Sequence, residues 1–272
     1  MKIKLEEMSW PEVAEVLKQP NVVILPAGSM EQHGLHLPLN VDSSCSAYIA
    51  EQTAIKVIEE HKIQVLVAPT VSYGETSSFR RYPGTIGISL DTLVGMIGDI
   101  VRSFMNQGFK NIVVVNGHSG NTIPIAEALR KASVDFPDAG LYAVNWWGLG
   151  FDVIPNIRKS EVGLHADELE TSLSLVIQPE NVHMEKAVKD MPSYSLSSRW
   201  VVPDLQQSPN RVFYHSRKGF PKRPGEGSGV MGDPTVASRE TGEKIIAAVV
   251  DDLAKIIVEI VGSEGAHREI ED

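Results

Sequence analysis

NIVVVNGHSGN, residues 111–121, sets a run of β-branched apolar side chains directly against a Gly-rich turn, with an imidazole, His118, standing at the turn itself. Residues 123–136 then carry apolar side chains three and four apart until Pro137 interrupts them, so the segment predicts a strand passing through a tight turn into a helix. The same unit recurs on either side. Strands are predicted at 22–26, 65–69 and 141–146, and helices at 43–61, 90–107, 167–177 and 238–261. Short apolar runs alternating with amphipathic stretches are the pattern of a layered α/β fold with a largely parallel sheet. Ligands of such sheets bind beyond the carboxyl ends of the strands, where Glu31, His33 and His118 would meet.

The bulk numbers narrow the function. A chain of 272 residues with 42% hydrophobic residues can bury a substantial core, and one domain spanning 1–272 is expected. With 25 basic against 35 acidic residues, the net charge of −10 repels phosphate backbones, which argues against nucleic acid and for a small-molecule substrate. Cys45 is the only cysteine, so any metal must bind through nitrogen and oxygen. The first residues carry no long apolar core, and no uninterrupted apolar run reaches about 18 residues, so neither secretion nor membrane spanning is indicated and a cytoplasmic enzyme is expected. Residues 192–229, rich in Ser, Pro, Gly and basic side chains with Trp200, Phe213, Tyr214 and Phe220 among them, read as a long excursion serving as a lid or an oligomer contact, or as partly disordered.

Three groupings carry the chemistry. LPAGSMEQHGLHLPLNVD, residues 25–42, holds Glu31, His33, His36 and Asp42; an extended backbone would aim Glu31 and His33, two apart, at one point. A plain helix cap is the rival reading of Asp42, and a hydrogen-bonded structural role that of His36. The Gly-rich turn at His118 is short of a phosphate-cradling loop and lacks its lysine. In HADELETS, residues 165–172, His165 and Glu168 are three apart and would share a helical face, whereas Glu170 would point elsewhere as a carboxylate favoured by the helix dipole. Carboxylates and imidazoles from three separated loops are what a two-metal hydrolytic centre requires. Trp146 and Trp147 are read as an apolar wall for the substrate or as core; Tyr73, Ser119 and Gly120 complete the candidate substrate contacts.

These groupings, in order, resemble those of the creatininase family, the creatinine amidohydrolase-like metal-dependent hydrolases. GSMEQHGLHLPLNVD resembles GSxEQHGPHLP with its downstream Asp, NGHSGN resembles NGHGGN, HADELETS resembles HAGExETS, and GVMGDPTVAS resembles the C-terminal GVxGDP segment. The resemblance implies a three-layer α/β/α domain, a homohexamer, and two divalent ions of zinc, manganese or iron. It places Glu31 and His118 on one ion, His33 and Glu168 on the other, Asp42 between them, and His165 beside the reacting amide for proton transfer, with Glu168 counted with it as catalytic. A hydroxide bridging the ions would attack a cyclic amide or formamide. Gly120 stands where creatininases proper resemble NGHYEN and take a metal-binding glutamate, which argues against creatinine itself. Before YPGT, Phe79, Arg80 and Arg81 replace a His and small residues of relatives; the arginines would meet a substrate carboxylate or phosphate, or be solvated. The alternatives are a peptidase trimming a small peptide, a non-enzymatic metabolite-binding protein, and an oligomer using metal only for assembly.

Overall fold

A computed structural model of the protein describes residues 2–191, 204–206, 225 and 227–263. After a short helix α1 (Trp10–Val16), strands β1 (Asn21–Ala27), β2 (Gln64–Val67), β3 (Asn111–Asn116) and β4 (Gly140–Asn145) form a parallel sheet in the order β2-β1-β3-β4. Parallel neighbours need crossovers, supplied by α2 (Val41–His61), α3 (Leu90–Gln107) and α4 (Thr122–Asp135). Both central strands are buried throughout, so successive side chains serve opposite layers. Val22, Ile24, Val113 and Val115 pack with α2 and with α7 (Arg239–Gly262), while Val23, Leu25, Ile112 and Val114 pack with α3 and α4. Each such side chain contributes roughly 1.5–3 kcal/mol through burial. The result is the α/β/α sandwich expected.

The rest of the chain adds α5 (Ile154–Ile157), β5 (Gly163–His165), α6 (Glu168–Ile177) and β6 (Met231–Gly232), with β5 and β6 paired antiparallel beside the main sheet. Helix 90–107 and strand 111–116 fall where the periodicity puts them, and Gly108 closes the helix in the left-handed conformation at φ 101°. Strand β4 ends at Asn145 rather than 146 because Trp146 enters a 3-10 turn. Most of the 192–229 excursion, including Trp200, Phe213, Tyr214 and Phe220, lies outside the described residues. Among the described residues no helix is long and apolar enough to cross a membrane.

The connection leaving β1 turns onto one face of the sheet and that leaving β3 onto the other, so a crevice opens between their carboxyl ends. Gly117 lets the end of β3 press against the first turn of α2, for a Cβ there would lie 2.2 Å from the Asp42 carbonyl.

Candidate metal centre

Asp42 sits at the bottom of this crevice. It occupies the first turn of α2 behind the cap residue Asn40, and its buried carboxylate faces two imidazoles instead of helix amides, which removes the capping reading. Oδ1 is 3.1 Å from His33 Nε2, and Oδ2 is 3.1 Å from His118 Nδ1 and accepts from Ser29 Oγ at 2.6 Å. Each imidazole is fixed from behind by a carbonyl: His33 Nδ1 donates to Glu31 O at 3.1 Å, and His118 Nε2 to Glu75 O at 2.8 Å. In the neutral tautomers that these bonds select, the inward nitrogens carry the lone pairs that metal binding needs.

Glu31 and His33 converge as their spacing suggested. Glu31 Oε1 lies 3.3 Å from His118 Nδ1 and 3.5 Å from His165 Nδ1, yet neither oxygen of this fully buried carboxylate has a hydrogen-bond partner among the described residues. Ligand atoms in three sets, Glu31–Asp42–His118, His33–Asp42–Glu170 and Glu31–His33–His165, each lie within 4.8 Å of one another. Orphaned carboxylate oxygens beside preset imidazoles, with Asp42 shared by the first and second sets and Glu31 by the first and third, fit divalent cations.

The acid completing the second set is Glu170, and Glu168 is not brought to the cluster. His165 and Glu168 would share a face only if the chain were already helical at His165, whereas His165 ends β5 and Ala166 takes the left-handed conformation at φ 49°. Asp167 then caps α6, its Oδ1 accepting from Leu169 N at 2.8 Å and Glu170 N at 3.0 Å. Glu168 turns away, its buried carboxylate accepting from Lys159 N at 2.9 Å and Ser160 N at 2.6 Å. Glu170, two residues further along α6 and so on the opposite side of the helix, reaches within 3.7 Å of His33 Nε2 and accepts from Ala166 N. Glu170 therefore stands in the cluster where Glu168 was expected, and it does so from the first turn of α6, where the helix dipole also favours a carboxylate.

The electrostatics are those of an acid cluster short of positive charge. Burial raises the Glu31 pKa, and raises that of Glu170 to about 8, with His33 opposing and Asp167 and Asp42 reinforcing. Burial alone would lower the imidazoles, but the charges of Asp42, Glu170 and Glu31 lift His33 to about 10, and those of Glu31 and Asp42 lift His118. Burial likewise works against ionised Asp42, which His33 and His118 nevertheless hold well below its usual range. His165 runs opposite: burial and the neighbouring His33 keep it neutral.

Gln32 is a connector that the sequence reading passed over. Its carbonyl accepts from His165 Nε2 at 2.7 Å, its Oε1 accepts from Gly34 N at 2.8 Å, and its Nε2 donates to the Gly229 carbonyl at 2.9 Å. The only sequence signal was its place between Glu31 and His33. Phe79 was equally unforeseen as a neighbour of His165, on which its ring stacks at 4.3 Å. His36 stays outside the cluster with its Nε2 2.9 Å from Thr171 Oγ1, and burial lowers it to about 4. Trp146 and Trp147 are both buried in the core against each other, so they form no exposed wall. Tyr73 and Ser119 are exposed, and Gly120 has room for no side chain, its Cβ position lying 2.4 Å from Glu75 O and 2.5 Å from His118 Nε2.

Comparison with known proteins agrees with this fold. The family described as Creatininase, creatinine amidohydrolase, matches residues 6–257. The chain is 29% identical over 273 residues to the 3-dehydro-scyllo-inosose hydrolase of Thermotoga maritima, covering 95% of this chain and 84% of that one. It is 29% identical over 237 residues to the mycofactocin precursor peptide peptidase of Mycobacterium tuberculosis, covering 86% of this chain and 83% of the other. Among solved structures, creatininase with Mn superposes with a TM-score of 0.79 at 26% identity, covering 96% of this chain and 99% of that one. The family match runs across β1, β3, β5 and α6, the elements that deliver the clustered acids and imidazoles, and the chain is accordingly a hydrolase of the creatininase family.

Proposed function

We propose that the protein is a binuclear amidohydrolase that cleaves a non-peptide C–N bond, a cyclic amide or a formamide, in a small molecule. The observation that carries this is Asp42, whose two oxygens each face a different imidazole at 3.1 Å and so stand between two ligand sets. Glu31, Asp42 and His118 would hold one divalent ion, and His33, Asp42 and Glu170 the other. Bound there, zinc, manganese or iron would polarise a carbonyl and acidify water.

The chain's own residues supply the proton traffic. His165 carries its proton on Nε2, against the Gln32 carbonyl, and presents a bare Nδ1 to the cluster 3.5 Å from Glu31. A neutral imidazole in that pose accepts a proton from an attacking water and returns it to the departing nitrogen, worth about a hundredfold to ten-thousandfold in rate. The stacked Phe79 fixes the ring plane and keeps water off that side.

Gly120 bears on the substrate. A glutamate at this position would collide with Glu75 and His118, so this backbone takes its carboxylate from α6, and creatinine is not the expected substrate. The peptidase among the relatives supports cleavage of a short peptide as the second reading. The test is elemental analysis with assays on creatinine, formamido-pyrimidines and short peptides, with and without chelator. About two ions per chain with chelator-sensitive release of amine are expected; protein that is metal-free and inactive after reconstitution would overturn the reading.

A further inference from the structure

Residues 74–86 form one wall of the candidate site and are fastened to it at four points. The Glu75 carbonyl accepts from His118 at 2.8 Å, Phe79 stacks on His165 at 4.3 Å, Thr85 Oγ1 accepts from Gln32 N at 3.0 Å, and Ile86 bridges to Met30. At the crest, Tyr82 N donates to Phe79 O at 2.8 Å, closing a turn whose two central residues are Arg80 and Arg81. Phe79 is buried against His165 while both arginines are exposed, so the hydrophobic foot of the turn roots them one and two residues from the ring that touches the cluster.

Their lack of partners sets them apart. Among the described residues Arg102, Arg130, Arg158 and Arg239 each pair with a carboxylate, of Asp135, Glu127, Asp204 and Glu243. Arg80 and Arg81 have neither a hydrogen bond nor an ion pair there, although the chain carries ten more acids than bases, counted from 35 Asp and Glu and 25 Lys and Arg. Two adjacent guanidiniums repel each other, and a shared anion relieves that repulsion. A substrate whose amide is held over the ligand sets of Glu31, Asp42 and Glu170 would leave a negative end free to meet the exposed arginines.

We propose that the site takes an amide substrate bearing a phosphate ester or carboxylate, and that Arg80 and Arg81 bind that group and set this specificity; the inference rests on the amidohydrolase reading. The test compares matched probes on the metal-loaded enzyme: N-formylethanolamine with its O-phosphate, and N-formyl-γ-aminobutyrate with its primary amide. Wild type should favour the charged member of at least one pair by about tenfold in kcat/KM, through KM, the scale of one charge-assisted contact. The pair that responds identifies phosphate or carboxylate. In R80Q/R81Q the charged-to-neutral ratio should fall to about one, while R80K/R81K should retain part of it, which separates lost charge from a distorted turn. Equal treatment of charged and neutral probes by wild type, or an undiminished ratio in R80Q/R81Q, would mean the arginines are merely solvated and would overturn the proposal. Should no probe be cleaved, the amidohydrolase reading fails for these formamides; calorimetry of the phosphate probe with wild type and R80Q/R81Q then decides the anion site separately, with loss of binding supporting it and equal or absent binding refuting it.

Discussion

Single side chains at the start of α6 decide which carboxylate serves the cluster, and they make the sharpest residue-scale prediction. Glu170→Gln should lower the affinity for one ion by at least about tenfold, since even outer-sphere partners of metal ligands cost that much. Glu168→Leu should leave metal content intact and instead destabilise the fold by roughly 1–3 kcal/mol, because it removes the buried carboxylate that the amides of Lys159 and Ser160 donate to. Elemental analysis and urea unfolding of both variants check this; metal lost from E168L and kept by E170Q would reverse the assignment. The distinction was not legible in HADELETS, because i, i+3 spacing brings two side chains together only on a helix already under way. What intervenes is the left-handed Ala166, a conformation that alanine rarely signals in a sequence. Glu31, His33, Asp42 and His118 were legible because each lies at or just past a strand end, or in the first turn of a helix, whose period could be counted.

At the scale of elements, the turn after β3 works by close approach. A Cβ on Gly120 would meet both Glu75 O at 2.4 Å and His118 Nε2 at 2.5 Å, the two ends of the hydrogen bond that orients the imidazole. Gly120→Ala should therefore reduce metal affinity about tenfold to a hundredfold with a much smaller fall in melting temperature, as read by metal titration beside calorimetry; unaltered affinity would show that the Glu75 contact is dispensable. The β5–β6 ribbon that delivers His165 depends on a different fixture, the buried pair of Arg158 with Asp204, 2.5 Å apart. Arg158→Ala leaves a buried carboxylate uncompensated and should cost about 3–5 kcal/mol in urea unfolding. A loss under about 1 kcal/mol would mean that Asp204 escapes to water. This ribbon was invisible in the sequence for a plain reason: Gly163–His165 and Met231–Gly232 are too short to show a period and too far apart to suggest a partner. The four sheet strands, each an apolar run beside a crossover helix, had both signals.

For the whole molecule, proton binding at the cluster sets how stability and metal affinity move together with pH. His33, raised from an ordinary 6.5 to about 10, stabilises the metal-free fold fully below about pH 6.5, and that contribution fades as pH climbs toward 10. Glu170, raised from 4.5 to about 8, acts in the same direction: its burial costs nothing while it is protonated in both states and costs progressively more as pH rises from 4.5 to 8. Asp42, held low, opposes them only in acid, below its ordinary 3.8. Between pH 6.5 and 9 the metal-free protein should thus lose melting temperature steadily. Divalent ions require the same imidazoles neutral and the same carboxylates ionised, so they bind by expelling these protons, and their affinity should climb over the same interval. The rise in melting temperature produced by a fixed excess of zinc or manganese should accordingly be small at pH 6 and grow toward pH 9, with protons released on binding as measured by calorimetry in buffers of different ionisation enthalpy. If the shift were the same at both ends of the range and no protons were released, the ions would be binding somewhere other than among Glu31, His33, Asp42, His118 and Glu170.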